Sequence, residues 1–229
     1  MASISRAWRR RNGGPPCHHP TVGSILSLNL AEVRTIERRG KPVKTGIWKL
    51  PAEGPVHAGR EGLAGDVQAD RRVHGGPDMA VYAYAREDLD WWASELGRRP
   101  EDGALGENLT LSGVDVTGAL VGERWRAGEA LLEVSAPRIP CWKLGVKMGD
   151  PTFVKRFGKA LRPGAYLRVI EPGALAQGDA VDVLERPGHG VTVALIAEAR
   201  LADPSLAPRL LAAPALPASW RAWASSRAA

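Results

Sequence analysis

The sequence predicts a mainly β fold: a closed or nearly closed barrel of short strands with a few short helices and a small C-terminal helical appendage. Three observations predict it. Short strand-like runs recur from Val22 onward, divided by Gly- and Pro-containing turns. Gly and Pro are plentiful, 26 and 18 of 229 residues, which suits many turns better than a helical bundle. The βαβ rhythm and glycine fingerprint of a dinucleotide fold are missing.

Residues 1–21 read as a basic, disordered extension. They hold Arg6, Arg9, Arg10 and Arg11 and no acid. From Val22, "VGSILSLNL" and "PVKTGIWKL" are β-rich runs, the second closed by Pro51. "MAVYAYA" follows a Gly-Gly-Pro turn and reads as a third. Residues 86–96 switch to helical period, with Leu89, Trp92, Ala93 and Leu96 on one face. Glu87, Asp88 and Asp90 suit its dipole, and Gly97 is a natural stop. "ENLTL", "ALLEVSAP", "GAYLRVIE" and "AVDVLE" are further strands. Among them "PTFVKRFGKA" reads as a helix, with Asp150 as N-cap and Pro151 at the first helical position. The barrel domain is placed at 22–185. Beyond "RPGHG", residues 186–229 carry three short helices, with Trp220 and Trp223 spaced to pack inward.

Charge narrows the function classes. The formal net charge is +6; without the four tail arginines, 27 basic face 25 acidic residues, or +2. The body is therefore no basic nucleic-acid platform. No run approaches the roughly 20 apolar residues of a membrane span. No secretory signal stands at the N-terminus, and a two-cysteine chain has no disulfide framework, so a cytoplasmic protein is expected. "CHHP", with Cys17, His18 and His19, is too compact to wrap one metal ion.

Two positions have chemical interest from residue type alone. His74 precedes Gly75-Gly76, where backbone can approach a ligand or simply turn. Cys141, in "SAPRIPCWKLG", is either an inert buried thiol or a thiolate favoured by Arg138 and Lys143. A thiolate serves as nucleophile, persulfide carrier or soft metal ligand. With no CxxC here, a dithiol cycle or four-cysteine zinc site is not expected.

"GLAGDVQADRRVHGGPDMAVYAY", "LGENLT", "PRIPCWKL" and "LRPGAYLRV" stand in the order and spacing of the MOSC family, the molybdenum cofactor sulfurase C-terminal domain. The match runs from about Val22 to the C-terminus, and "LPASWR" with its three helices resembles the extension of the hydroxylaminopurine-resistance branch. The resemblance implies a MOSC-type β-barrel whose cavity these segments line. It implies molybdenum cofactor (molybdopterin) as the bound group and Cys141 as molybdenum ligand or sulfur carrier. By position, Arg138, Lys143, Lys49 and Arg162 could neutralise the cofactor's phosphate. His74 and Asn108 match polar motif positions that could orient pterin or substrate, with His74 a catalytic candidate beside Cys141. Two departures stand out: Met79 where many relatives carry lysine, and Leu105 where phenylalanine is common. The full sulfurase's pyridoxal-phosphate domain has no counterpart, so no pyridoxal phosphate is expected.

Three functions follow. A molybdenum-dependent oxidoreductase would reduce N-hydroxylated bases or related N-hydroxy compounds. It would need a separate electron-donor protein, because the chain has no flavin motif and no cysteine set for an iron–sulfur cluster. A sulfur carrier would take sulfur from a cysteine desulfurase onto Cys141. A non-enzymatic module would only hold the cofactor or another small anion. A homodimer is compatible with all three.

Overall fold

The computed structural model describes residues 22–69 and 75–228. Eleven strands and five α-helices follow in chain order: β1 Val22–Arg38, β2 Lys41–Pro51, β3 Val56–Gly59, β4 Gly62–Leu63, β5 Val81–Ala85, α1 Arg86–Leu96, β6 Leu109–Ser112, β7 Arg124–Ala127 and β8 Ala130–Pro137; then α2 Trp142–Met148, α3 Phe153–Ala160, β9 Ala165–Glu171, β10 Gly173–Leu175, β11 Ala180–Glu185, α4 Val193–Leu201 and α5 Ala218–Ser225. Short 3-10 segments occupy Pro77–Met79 and Pro204–Ala212.

Seven strands close a barrel in the order β1-β6-β5-β9-β8-β7-β11, with β11 returning to β1. Closure leaves the ring no open edge, which answers the hazard of unpaired strand groups. Every pairing is antiparallel except β5–β6, where Ala83 lies opposite Leu109. A parallel pair needs a crossover, and α1 with the loop after it supplies one. The predicted face of α1 behaves accordingly: Leu89 and Trp92 are buried, and Gly97 ends the helix.

β1 serves two partners in succession. Its first half pairs with β11 and β6 inside the ring; its second half leaves the ring and pairs with β2 from Asn29–Pro51 to Arg38–Lys41. Bulges at Ile25/Ser27 and Glu32/Arg34 bend it. The sequence reading stopped this strand near Leu30. Its outer part is exposed and mixed in charge, so it lacks a buried face that would produce a clear alternation.

Two further corrections concern helices. α2 starts directly after Cys141 and was not predicted, since "WKLGVKM" contains only two turns and no polar N-cap. α3 begins at Phe153, with Thr152 at its cap position. Asp150 acts one step earlier than expected: its Oδ1 accepts from Thr152 N at 2.8 Å and Thr152 Oγ1 at 2.6 Å, while Pro151 sits in the turn leading in.

The core has three parts. The barrel interior is filled by residues such as Ile25, Leu109, Trp125, Leu132 and Leu167. The C-terminal helical segments close a second cluster over Val121 and Val191, with Trp220 and Trp223 packed against it. A third cluster binds α1, α2 and α3 to the barrel wall through Tyr82, Tyr84, Trp92, Leu144, Phe153 and Phe157. Its polar atoms are matched. Trp92 Nε1 donates to Tyr84 Oη at 2.9 Å, Tyr84 Oη to the Arg162 carbonyl at 2.7 Å, and Tyr82 Oη to the Pro163 carbonyl at 2.8 Å.

That last arrangement depends on Gly164. It has φ +64°, and a Cβ there would come within 2.6 Å of both the Ala83 carbonyl oxygen and Tyr84 Cδ2. Gly164→Ala is expected to lower stability by at least about 1–3 kcal/mol through backbone strain, before the clash is counted. Urea unfolding should show a lower midpoint at unchanged slope.

Candidate functional site

The site begins with a buried carboxylate. Asp66 follows β4 and points beneath the β1–β2 pair. Its Oδ1 accepts from the Ala31 backbone N–H at 2.7 Å, both oxygens take Lys49 Nζ at 2.5 Å, and Oδ2 takes Asn108 Nδ2 at 2.9 Å. Ala31 and Lys49 face each other in the β1–β2 register, so one carboxylate reads both strands at one rung. The side chains of Lys49 and Asp66 are only 8% and 4% exposed. Burial pulls the Lys49 ammonium below its ordinary pKa, against the attraction of Asp66.

Asn108 is fully committed as well. Its Oδ1 accepts from Tyr82 N at 3.1 Å and its Nδ2 also reaches the Asn29 carbonyl at 3.1 Å, stitching β5 and β1 at the start of β6. Next to it, Glu107 is fully buried and accepts from Gly103 N at 2.7 Å and Leu105 N at 2.9 Å. The carboxylate thereby fixes the 103–107 loop and turns the Leu105 carbonyl toward Arg138, whose Nη1 donates to it. Gly106, at φ +85°, lets the loop press in: a Cβ would lie 2.9 Å from Ile47 Cγ1 and 3.3 Å from Arg138 Nη1. The Arg138 guanidinium lies 5.1 Å from the Tyr82 ring centroid, a cation–π contact in a dry setting.

Cys141 sits where β8 hands over to α2. The chain from Pro137 through Pro140 carries few backbone donors, and Cys141 is extended (φ −119°, ψ 169°) before the helix begins. It takes part in no disulfide and is partly exposed. With Lys49, Asp66, Gln68, Met79, Tyr82, Asn108, Arg138, Lys143 and Tyr166 it lines one cavity of about 110 Å3. Of the residues singled out in the sequence, Arg138, Lys143, Lys49, Asn108 and Cys141 thus line one cavity together.

Two predicted residues do not join them. Arg162 lies outside this lining: its guanidinium binds Asp88 and stacks 4.8 Å from the Trp91 ring. It packs at the edge of the third core cluster, and its place as the first residue of "RPGAYLRV" gave no hint of that. His74 lies outside the described residues. Leu105 is fully buried, so that departure is a packing substitution, whereas Met79 reaches the cavity.

The sequence reading passed over three contributors. Tyr82 and Tyr166 looked like alternating strand residues; both line the cavity, and burial raises both phenol pKa values. Lys147, on the unpredicted α2, reaches back to donate to the Ile47 carbonyl at 2.9 Å and to the Gly103 carbonyl. Burial brings its pKa down to about 8.

Among the described residues the cavity lining sets three cations against one carboxylate. Lys49 is neutralised by Asp66, and Arg138 holds a carbonyl and a ring. Lys143, 9% exposed, is engaged by no carboxylate among the described residues and is the cation with charge to offer. No group of three or more His, Cys, Asp or Glu is placed to hold a metal among the described residues. A metal at Cys141 would therefore need its other donors from a bound group. The lining suits such a group if it is anionic, and a surface groove continues from Asp66, Val67 and Gln68 along His57 and Gly62, giving an extended molecule room.

Two measurements test this geometry. Breaking a buried pair strands a charge, so Lys49→Met is expected to cost about 3–5 kcal/mol, and Lys49→Met/Asp66→Leu less than the single change. Denaturation of the four proteins of the cycle gives the coupling; an additive result would contradict the pair. For Lys147, the folded pKa of about 8 lies below the free value of 10.5, so between them the unfolded chain binds more protons. Stability of the wild type relative to Lys147→Met should therefore rise from about pH 8 to pH 10.5, read from midpoints across that range.

Known proteins similar to this chain bear on its identity. The MOSC domain family model matches residues 70–182. The uncharacterized protein YflK of Bacillus subtilis is 39% identical over 202 residues, covering 87% of this chain and 91% of that one. A protein named "Reductase" from Gibberella moniliformis is 32% identical over 172 residues, covering 73% of this chain but only 30% of its own length. The crystal structure of YiiM from Geobacillus stearothermophilus superposes with a TM-score of 0.75 at 31% identity, over 90% of this chain and all of that one. The family match and the likeness in sequence and fold agree, and this chain belongs to the MOSC domain family, in its YiiM-like branch.

Proposed function

We propose that this protein binds molybdenum cofactor in the cation-lined cavity and reduces N-hydroxylated bases or related N-hydroxy compounds. The observation that carries the reading is the convergence of Cys141, Lys143 and Arg138 on one cavity whose lining has excess positive charge. A soft thiolate suits molybdenum, and the cations suit the anionic dithiolene and phosphate of the cofactor. The relative named "Reductase" supports the same class of chemistry.

When bound, the cofactor supplies the two-electron centre. Converting R–NHOH to R–NH2 and water consumes two electrons and two protons. A separate donor protein of the flavin or iron–sulfur class provides the electrons. The chain's own tasks are then specific. Cys141 would ligate the metal, Lys143 would neutralise the cofactor's charge, and the Glu107-fixed loop holds Arg138 in the same cavity lining as the thiol. Tyr166 lines the cavity with its phenol held protonated by burial, so its Oη can donate a hydrogen bond to the departing hydroxyl while solvent supplies the two protons. No helix among the described residues is long and apolar enough to cross a membrane.

The sulfur-carrier reading draws on the partial exposure of Cys141, which a partner's persulfide could reach. The two readings part in experiment. Protein produced with an intact cofactor pathway should carry molybdenum and reduce an N-hydroxylated purine with reduced viologen as donor. Cys141→Ser should lose both metal and at least about a hundredfold in rate, as removal of a metal ligand implies. Wild type that stays metal-free under these conditions, and gains a persulfide on Cys141 from cysteine and a desulfurase, would favour sulfur carriage. Cofactor binding that survives Cys141→Ser would point to a mere binding module.

A further inference from the structure

Cys141 borders two cavities. The second, about 560 Å3, is a groove between the Pro77–Met79 turn, the end of β8 with Ile139 and Pro140, and the start of α5. Met79, Cys141 and Tyr166 belong to both linings. The two cavities differ in chemistry. The first is rich in cations. The described lining of the groove has no lysine or arginine, and its one carboxylate, Asp78, is already bonded by Arg168 Nε at 2.5 Å. Its walls are prolines, Ile139, Tyr166 and Trp220.

Trp220 is well placed to be a platform. It is half-buried, and Trp223 meets it edge-to-face at 5.8 Å and 85°, holding the ring from behind. Arg200 and Arg227 clamp Trp223 in turn, 5.6 and 4.6 Å from its ring. A ring fixed in this way offers a π-face without an ordering cost on binding. The described lining offers an anion no cation, whereas a neutral flat heterocycle gains stacking and burial there.

We infer that this groove is the substrate subsite: a neutral, planar N-hydroxylated heteroaromatic stacks on Trp220 with its N–OH group directed at Cys141, while the cofactor keeps to the cationic cavity. The inference rests on the reductase reading and assigns the C-terminal helices a direct part in recognition. Trp220 is then a specificity residue, and neither cofactor binding nor metal ligation depends on it.

The test uses the full chain with and without molybdenum. Calorimetric titration of metal-free protein with N6-hydroxyadenine should show binding, weakened about tenfold by Trp220→Ala, as loss of one stacking partner implies. Trp220→Phe, which keeps an aromatic face, should recover most of it. Ile139→Trp, which fills the groove without emptying the core, should also abolish binding and decides the matter if Trp220→Ala does not fold. Molybdenum content after loading should be the same in all variants that fold. Wild-type protein that does not bind the purine, a Trp220→Ala protein that binds it undiminished, or a Trp220→Ala protein that loses molybdenum would each overturn the assignment. Trp220-dependent binding in a protein that never takes up molybdenum would leave the groove standing and refute the redox reading instead.

Discussion

Asp66 is the constraint on which the site depends. A carboxylate taken out of water costs several kcal/mol unless its charge and lone pairs are met. Here the partners come from three places: a backbone N–H of β1, the ammonium of Lys49 on β2, and the amide of Asn108 at the mouth of β6. Meeting the carboxylate therefore fixes the outer hairpin against the barrel. It also sets Asn108 so that it can bind β5. The cavity floor is a consequence of satisfying one buried charge.

That arrangement reassigns the positive residues. Four cations looked equivalent in the sequence, yet they have different roles in the fold. Lys49 answers Asp66, and Arg162 answers Asp88 at the far side of the aromatic cluster. Arg138 braces the 103–107 loop while staying charged at any pH of interest. Lys143 lines the cavity with no carboxylate partner among the described residues. Lys147, which was overlooked, ties α2 to β2 and to the same loop through two carbonyls. Much of the site's positive charge is thus structural, and a count of nearby lysines and arginines overstates the charge available to a ligand.

The barrel was legible because its strands are half-buried and alternate, and because Gly and Pro mark their ends. In "AYLRVI", Ala165, Leu167 and Val169 are indeed the buried positions. α1 was legible for the same reason at helical period. What escaped had no pattern to read. The outer half of β1 faces solvent on both sides, and α2 is too short for a period. The pairing of Asp66 with Lys49 spans 17 residues and is made by the hairpin register, which no local motif announces. Cys141 could be singled out by type and by its cationic neighbours, but its position between two cavities of opposite character needed the fold. Trp220 was read as a core residue on spacing, and it does pack on the second cluster; its other face is what spacing could not see.

The placement of Cys141 also explains why so little around it can move. Pro137 and Pro140 restrict the approach, α2 starts at the next residue, and Leu144 of that helix is locked in the aromatic cluster. A thiol on a mobile loop would have to be ordered each time a metal or substrate arrived; here that cost is met during folding. The same rigidity couples distant parts of the chain. The C-terminal helices share a core with Val121 on the barrel, so the wall that carries Trp220 is held in register with the strand that presents Cys141. The extension is thus more than an appendage: with Pro217, Ser219 and Trp220 it walls a second cavity beside the thiol, one whose described lining has no lysine or arginine, whereas the first cavity's described lining has three cations.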